Sequence, residues 1–194
     1  QAGLEKPRDL LLQLPVSGVD RALKASVLDV RAPAVATVRV MVGRHQPPNR
    51  KGLPYRIMVE DAKTPFQLVF FHARGDYLSR LLPTGQERIG SGRVELFDGI
   101  PQIAHPDHVL KVDEVDEIPA FEPVYPLHGG VSQKVIFRAT TSALGLVPDV
   151  SEWIDPALLV RDGWPGWGEA LVAAHRPESA VDIAATAPAR ARLA

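Results

Sequence analysis

The chain has 194 residues, of which 45% are hydrophobic and 23% charged, and 22 Lys and Arg against 23 Asp and Glu give a formal net charge of −1. This composition is typical of a folded chain of one or two domains and excludes a wholly disordered polymer. The chain has no Cys, which excludes a disulfide scaffold, and its near-neutral charge removes the simplest signature of nucleic-acid binding, a strongly basic whole chain.

The first predicted element is a short helix over residues 5–14, because leucines recur between polar residues until Pro15 ends the pattern. From residue 34 to residue 110 the pattern changes to short β-branched runs separated by turn signals. Such a pattern is typical of a small antiparallel barrel or sandwich. The first three strands are predicted at residues 37–42, 55–60 and 66–71.

A short helix is predicted after the third strand, over residues 77–82, with Asp76 as its N-cap. Two further strands, at about 88–97 and 100–110, are joined by Asp98-Gly99, the strongest short hairpin signal in the sequence. Three strands, a short helix and a closing hairpin is the element order of an OB-fold. This fold is a five-stranded Greek-key barrel with a helix between its third and fourth strands.

Acidic residues dominate the end of the predicted barrel and the segment that follows it: from Asp98 to Glu122 the chain has seven Asp and Glu and one basic residue, Lys111. From Ser132, which is predicted to cap a helix, apolar residues recur at helical spacing. The residues at this spacing are Val135, Ile136, Ala139 and Leu144, and further short helices are predicted near 151–161, 166–175 and 178–194.

The predicted fold class is therefore mainly β with flanking helices: a five-stranded OB-fold Greek-key barrel, a short N-terminal helix and a helical C-terminal third. The predicted segments are a helical lead-in (1–33), the OB-fold (34–112), an acidic, Pro-rich connector (113–131) and a helical segment (132–194).

Enzymatic chemistry is not predicted for this chain. No Gly precedes a Lys, so the phosphate-binding P-loop pattern is missing, and the acidic run 113–117 is interpreted as a solvated linker. No Gly-x-Ser-x-Gly elbow is present either. His105 and His108 are separated by Pro106, which prevents a shared helical face, and strand alternation would place them on opposite sides. We therefore expect neither catalytic residues nor a metal site.

Basic residues are concentrated in the first half of the predicted barrel. Between residues 34 and 60 the chain has five Lys and Arg and one acidic residue, Glu60. Cations on the loop joining the first two strands of an OB barrel flank the usual oligonucleotide face. A solubilising hairpin tip would have the same composition, so both interpretations stay open. The basic residues are Arg39, Arg44, Arg50, Lys51 and Arg56.

Two adjacent aromatic residues end the third predicted strand. Phe70 and Phe71 must point to opposite faces, so one can enter the barrel while the other is partly exposed near Arg74 and Tyr77. An exposed ring beside Arg can stack on an unpaired base. Core packing of both Phe side chains is the alternative.

The three tryptophans lie in the helical third of the chain. Few cationic residues are close to them in sequence, so they are interpreted as anchors of a small core or an interdomain contact rather than as a stacking platform. They are Trp153, Trp164 and Trp167.

Several short motifs follow one another along the chain. They include Pro7-Arg8-Asp9-Leu10-Leu11, Asp20-Arg21, Leu68-Val69-Phe70-Phe71, Asp76-Tyr77-Leu78, Gly92-Arg93-Val94, His105-Pro106-Asp107, Pro123-Val124-Tyr125-Pro126-Leu127 and Gly130-Val131-Ser132-Gln133-Lys134. Together they resemble the N-terminal region of the RecG family of ATP-dependent DNA helicases, over essentially the whole chain.

The resemblance implies a wedge domain, an OB-fold that meets branched DNA at the junction and splits the duplex arms while a separate motor pulls. The family's wedge offers an aromatic pair to unpaired bases; Phe71 matches the first aromatic through Phe-Phe-His, and Tyr77 matches the second through Asp-Tyr-Leu. The candidate DNA-binding residues are Phe71, Tyr77, Arg74, Arg44, Arg50, Lys51, Arg56 and His72.

The expected partners are branched DNA, as in stalled forks and Holliday junctions, and the helicase lobes of the same polypeptide, in DNA repair and recombination. Because all helicase motifs are missing, we expect a fragment that ends before those lobes. ATP and magnesium would belong to the motor, so no cofactor is expected here. A monomer without membrane association is expected, located in the bacterial cytoplasm at the nucleoid.

A second interpretation stays open at this stage. The acidic connector and the Trp-containing helices would dock a protein partner, and the barrel would be a spacer. Dependence on salt separates the two interpretations, because DNA binding through several phosphates weakens steeply as salt rises.

Overall fold

The structure, a computed structural model, describes residues 6–127 and 130–194. Two compact units divide the chain: a barrel unit, Asp20–Ala120, and a helical unit formed by Gln1–Val19 and Phe121–Ala194. The elements, in chain order, are α1 (Pro7–Leu12), β1 (Ser17–Asp20), β2 (Leu23–Lys24), β3 (Ala34–Gln46), β4 (Tyr55–Glu60), β5 (Pro65–Phe70), α2 (Gly75–Leu81), β6 (Glu87–Phe97), β7 (Ile100–Ala104), β8 (His108–Leu110), β9 (Phe121–Val124), α3 (Gln133–Leu144), α4 (Pro156–Asp162), α5 (Trp167–His175) and α6 (Pro188–Leu193).

The barrel unit is an OB-fold, as the sequence predicts. Its strands follow the order β3-β4-β5-β7-β6, and a second pairing of β3 with β6 closes the barrel. The pairing of β5 with β7 is parallel, whereas the other four barrel pairings are antiparallel. Helix α2 lies between the third and fourth barrel strands, and β2 and β8 extend the sheet.

Alternation of apolar side chains explains the barrel core. In β3 the side chains of Val38, Val40 and Val42 are buried while the residues between them are exposed. Helix α2 adds Leu78 to the same core. Each such side chain contributes about 1.5–3 kcal/mol relative to leaving it exposed.

The predicted closing hairpin is confirmed, but its second strand is shorter than expected. Asp98 and Gly99 both have positive φ, 50° and 76°, as a two-residue type I′ turn requires. The single strand predicted at 100–110 is divided into β7 and β8. Between them His105 has a φ of 48° and Pro106 lacks an amide N–H, so the ladder cannot continue.

The predicted cap of α2 is wrong. The N-cap position belongs to Arg74, the helix begins at Gly75, and Asp76 lies in the first turn. The helix begins close to the barrel, since an added Cβ on Gly75 would lie 3.4 Å from the Tyr55 ring. In the first turn, the Asp76 carboxylate still interacts favourably with the helix dipole.

Five of the six α-helices found in residues 6–127 and 130–194 belong to the helical unit, together with a two-stranded sheet. Helix α1 is shorter than the predicted helix at 5–14, of which residue 5 lies outside the described residues. The segment predicted as an acidic, Pro-rich connector contains β9, which pairs with β1. Residues 113–120, also assigned to that connector by sequence, belong to the barrel unit. Most of the 3-10 turn Val112–Glu117 lies in this range.

Helix α3 confirms Ser132 as a cap, because its hydroxyl accepts a hydrogen bond from the Val135 N–H. The buried face differs from the predicted one: Val135 is exposed, and the buried positions are Ile136, Thr140 and Ala143, at i, i+4 and i+7. Likewise, the helix predicted at 178–194 is a 3-10 turn, Ala180–Ile183, followed by the separate α6.

The buried Arg192 side chain of the helical unit contacts an acidic and an aromatic side chain. The Arg192 guanidinium lies 2.9 Å from a carboxylate oxygen of Glu152 and 4.9 Å from the centre of the Trp153 ring. A cation therefore does contact a tryptophan, although 39 residues separate Trp153 from Arg192 in the chain. Backbone N–H groups of Ile154 and Trp153, together with the Arg192 charge, lower the pKa of Glu152.

A buried histidine is held in the same way. The Tyr125 hydroxyl lies 3.0 Å from Nδ1 of His175, and Nε2 lies 2.9 Å from the Leu11 carbonyl. A neutral ring satisfies both contacts if Nε2–H donates to the carbonyl and Nδ1 accepts from the hydroxyl. Burial lowers the pKa of His175, to which the Arg190 charge adds, and burial raises the pKa of Tyr125 to about 12.

Candidate nucleic-acid interface

A cleft of about 330 Å³ on the barrel unit brings together four of the residues predicted to bind DNA. One wall is the loop between β3 and β4, which carries Arg50 and Lys51. The other wall is the segment that follows β5, which carries Phe71 and His72. The cleft therefore combines a cationic wall with an aromatic one.

The two adjacent phenylalanines have different environments. Phe70, the last residue of β5, is 8% exposed and belongs to the barrel core, whereas Phe71 is 43% exposed. The alternative that both pack in the core is therefore excluded. Directly after Phe71, His72 has a φ of 58°, so the chain turns away from the strand direction at this point.

His105 contacts Phe71 through both its backbone and its ring. Nε2 of His105 accepts a hydrogen bond from the Phe71 N–H at 3.2 Å. The two rings are stacked, with centroids 5.5 Å apart and an interplanar angle of 29°. The His105 N–H in turn donates to the Val69 carbonyl at 2.8 Å, so the residue bridges two positions of the β5 end.

Arg21 anchors the segment that carries His105. Its guanidinium is buried and donates to Ser91 Oγ at 2.9 Å and to Asp107 Oδ2 at 3.0 Å. Ser91 Oγ also lies 2.7 Å from the Thr37 hydroxyl. The motifs Asp20-Arg21 and His105-Pro106-Asp107, far apart in sequence, therefore meet in the barrel unit.

The cations of the cleft are not neutralised by the protein. Arg50 and Lys51 are exposed, and neither forms an ion pair with any carboxylate of residues 6–127 or 130–194. The same holds for Arg44 and Arg74, which lie outside the cleft lining. Such charges are available to an external anion.

Arg39 differs from the other cations of the basic segment. It lines a separate cleft of about 470 Å³ on the outside of β3, together with the carboxylates of Glu60, Asp61 and Glu87. The sequence indicates one basic half of the barrel, but its cations line two separate clefts. Arg39 belongs to the cleft that also carries acidic groups.

Tyr77 lies on α2 and is 54% exposed, but it does not line the cleft. His45 contacts the end of α2, because its Nε2 lies 2.8 Å from the carbonyl of Leu82, the C-cap residue. Its Nδ1 lies 3.1 Å from the Tyr55 hydroxyl. Arg56, on β4, is partly buried and also outside the lining. The structure brings Arg50, Lys51, Phe71 and His72 together in one cleft. Arg44, Arg56, Arg74 and Tyr77 lie outside its lining.

Another exposed aromatic residue of the barrel unit lies at the other end of the strands. The tip of the β6–β7 hairpin exposes Phe97, by 56%, next to Ile100. Because β5 and β7 are parallel and Gln67 pairs with Gln102, Ile100 lies level with the start of β5 whereas Phe71 follows its end. At about 3.3 Å per residue, these levels are about 20 Å apart.

Sequence reasoning missed His105, Arg21 and His45. His105 could have been found from the OB-fold itself, because the third and fifth strands of the barrel pair and the chain after the fifth strand must pass Phe71. For His45 no local signal exists. Among the described residues no group of three or more His, Asp and Glu could hold a metal ion. No helix in that part of the chain is long and apolar enough to cross a bilayer.

Comparison with known proteins gives RecG both by sequence and by structure. The ATP-dependent DNA helicase RecG of Pasteurella multocida (strain Pm70) is 24% identical over 200 residues, which covers 98% of this chain and 28% of the relative. A solved structure of RecG bound to a three-way DNA junction superposes with a TM-score of 0.77 at 23% identity, covering 99% of this chain and 26% of that one. The chain resembles RecG. The similarity extends over nearly all its residues, and the RecG structure has the same fold.

Other comparisons are weaker. The OB domain of Ta0387 from Thermoplasma acidophilum matches with a TM-score of 0.34 at 16% identity, covering 56% of this chain and 95% of that one. No family model matches the chain. The chain spans little more than a quarter of the RecG sequence it matches.

Proposed function

We propose that this chain is the DNA-binding wedge of a RecG-like helicase, which recognises branched DNA such as stalled forks and Holliday junctions and separates the duplex arms at the branch point. The observation that carries the proposal is the cleft in which an exposed Phe71 ring lies opposite the unpaired cations Arg50 and Lys51. The solved RecG structure with a three-way junction supports the same class of ligand.

The free energies of stacking and of base-pair opening indicate how far such a wedge opens DNA. Stacking of one unpaired base on an aromatic ring contributes about 1–3 kcal/mol, and opening one step of DNA costs about 0.6–2.2 kcal/mol of base stacking. One stacked base therefore offsets the opening of about one base pair. The wedge holds the branch open by a single step, and further separation needs a motor.

Phosphate contacts supply the remaining affinity. Arg50 and Lys51 would each neutralise a phosphate and release counterions, which makes binding steeply dependent on salt. Arg44, Arg74 and Arg56 extend the cationic surface around the cleft. Such contacts position DNA without reading sequence, so the preference for a branch comes from shape and from the unpaired base.

In this proposal the chain is part of a longer ATP-dependent helicase that acts in DNA repair and recombination. Its coverage of about a quarter of the RecG sequence supports this. The helicase lobes bind ATP and magnesium, and the wedge works as a monomer on bacterial chromosomal DNA in the nucleoid.

A mobility-shift comparison of fork, Holliday-junction and linear duplex DNA at two salt concentrations tests the proposal. The double variant Phe71→Ala with Tyr77→Ala should weaken fork binding about fivefold or more, because base stacking on these rings is removed, and change linear-duplex binding less than twofold. Phe97→Ala is the matched control, an exposed ring about 20 Å away. Equal losses on fork and linear DNA, or binding that is insensitive to salt, would contradict the proposal and favour a protein-docking module.

A further inference from the structure

The His105 side chain supports Phe71 by continuing the hydrogen-bond ladder between β5 and β7. The register of β5 with β7 ends at Val69 and Ala104. One step further, the His105 N–H donates to the Val69 carbonyl, and then the imidazole Nε2 accepts from the Phe71 N–H. Because His105 has a left-handed φ of 48°, its ring takes the place of the backbone acceptor that a continued strand would provide.

Stacking with His105 leaves the Phe71 ring one open face. His105 lies against the ring at an interplanar angle of 29°, while the cleft with Arg50 and Lys51 is lined by Phe71 and not by His105. The histidine is therefore on the side of the ring away from the cleft. A base that enters the cleft meets the other face.

We propose that His105 is a positioning residue that holds the Phe71 ring so that it receives one unpaired nucleotide, with the base stacked from the cleft side and its phosphate at Arg50 or Lys51. This inference rests on the proposed function and specifies its ligand: a single nucleotide rather than a run of bases.

Two features make this arrangement preorganised. Nε2 of His105 accepts a hydrogen bond from the Phe71 N–H, which ties the Phe71 backbone in one position. Asp107, two residues after His105, is held by the buried guanidinium of Arg21. Conformational freedom that Phe71 would lose on binding a base is already restricted in the free protein, and this raises affinity.

Forked DNA carrying 2-aminopurine tests the inference. One fork has the fluorescent base at the first unpaired position and a second fork has it three positions further along the same strand. The wild-type chain should quench the first probe by stacking and leave the second unchanged. His105→Asn, chosen because Asn tolerates left-handed φ, should lose this quenching and bind the fork about fivefold more weakly, with the same dependence on salt.

Two further variants separate positioning from simple stability. His105→Phe keeps a ring against Phe71 and should restore most of the quenching, whereas His108→Ala, in the same His-Pro-Asp-His segment, should behave as wild type. Thermal melting accompanies each variant. Quenching that persists in His105→Asn, or that a folded His105→Phe does not restore, overturns the inference.

The wild-type measurement distinguishes failure of the proposed function from failure of the single-nucleotide assignment. If wild-type protein binds no better to the fork than to linear duplex, the proposed function itself fails. If wild type prefers the fork but quenches both probes equally, the DNA-binding function stands and the single-nucleotide assignment is wrong.

Discussion

The two units of the molecule use arginine in opposite ways. In the helical unit the Arg192 side chain is 4% exposed, and its charge is shared between Glu152 and the Trp153 ring. In the barrel unit Arg50 is exposed and forms no ion pair with any residue that the structure describes. A buried cation requires its partners, because removal of one of them leaves a buried charge uncompensated, while an unpaired surface cation costs the fold little and remains available to a ligand.

Arg21 refines this contrast, because it lies in the barrel unit and yet resembles Arg192. Its buried guanidinium is hydrogen-bonded to Ser91 and Asp107. The contrast is therefore between buried and exposed arginines rather than between the two units. Buried arginines have hydrogen-bond partners in the fold, and exposed Arg50 is available to an external anion.

The largest effect is expected for Arg192→Ala. Removal of the cation–π interaction and of a buried hydrogen bond should destabilise the helical unit by about 2 kcal/mol. All three tryptophans lie in this unit, so their fluorescence during urea unfolding reports on it alone. Fork binding should keep its dependence on salt; a lower salt slope would mean that Arg192 contacts DNA and that buried cations also bind the ligand.

The double variant Arg50→Ala with Lys51→Ala should show the reverse. Stability should stay within about 0.5 kcal/mol of wild type, as for other surface substitutions. Affinity for forked DNA should fall about tenfold, and the salt slope should fall by about one unit for each phosphate that is no longer neutralised. A clear decrease in thermal stability would show that these cations have a structural role.

A smaller effect is expected in the helical unit when the pH falls below neutral. Burial lowers the pKa of His175 in the folded chain, so the unfolded chain binds its proton more readily. Stability of this unit should therefore be full above the ordinary value of 6.5 and fall as pH drops from there through the folded pKa. Urea midpoints followed by tryptophan fluorescence at pH 7.5 and 5.5 measure it, and His175→Gln should flatten the difference.

The smallest effect is expected for Arg39→Ala. This side chain shares its cleft with Glu60, Asp61 and Glu87, which reduce its attraction for phosphate. Fork affinity should change less than twofold in a mobility shift. A decrease equal to that of Arg50→Ala would extend the DNA surface to the outside of β3.

The barrel could be predicted because its signals are local. Alternation around Ile57 and the hairpin at Asp98-Gly99 each follow from a few neighbouring residues. For Phe70 and Phe71 the sequence left two alternatives, and the structure decides between them. The basic loop with Arg50 and Lys51 was visible in the same way.

What could not be predicted depends on contacts that are remote in sequence. His105 contacts Phe71 across 34 positions, and Arg192 contacts Glu152 across 40. Strand β9 could not be predicted for the same reason, because its pairing partner β1 lies far away in the sequence, near the start of the described residues. Local patterns predict elements, whereas the partners of a polar side chain are decided by closure of the fold.

The contact between Arg21 and Asp107 joins residues 86 positions apart, which has a consequence for the order of folding. Contacts of such separation have a high entropic cost of loop closure and form after most of the intervening chain is ordered. Exposed lysines and arginines attract DNA even in a partly folded chain. The Phe71 ring is aligned by His105 only when β5 and β7 are paired, so under the proposed function the stacking face requires a closed barrel.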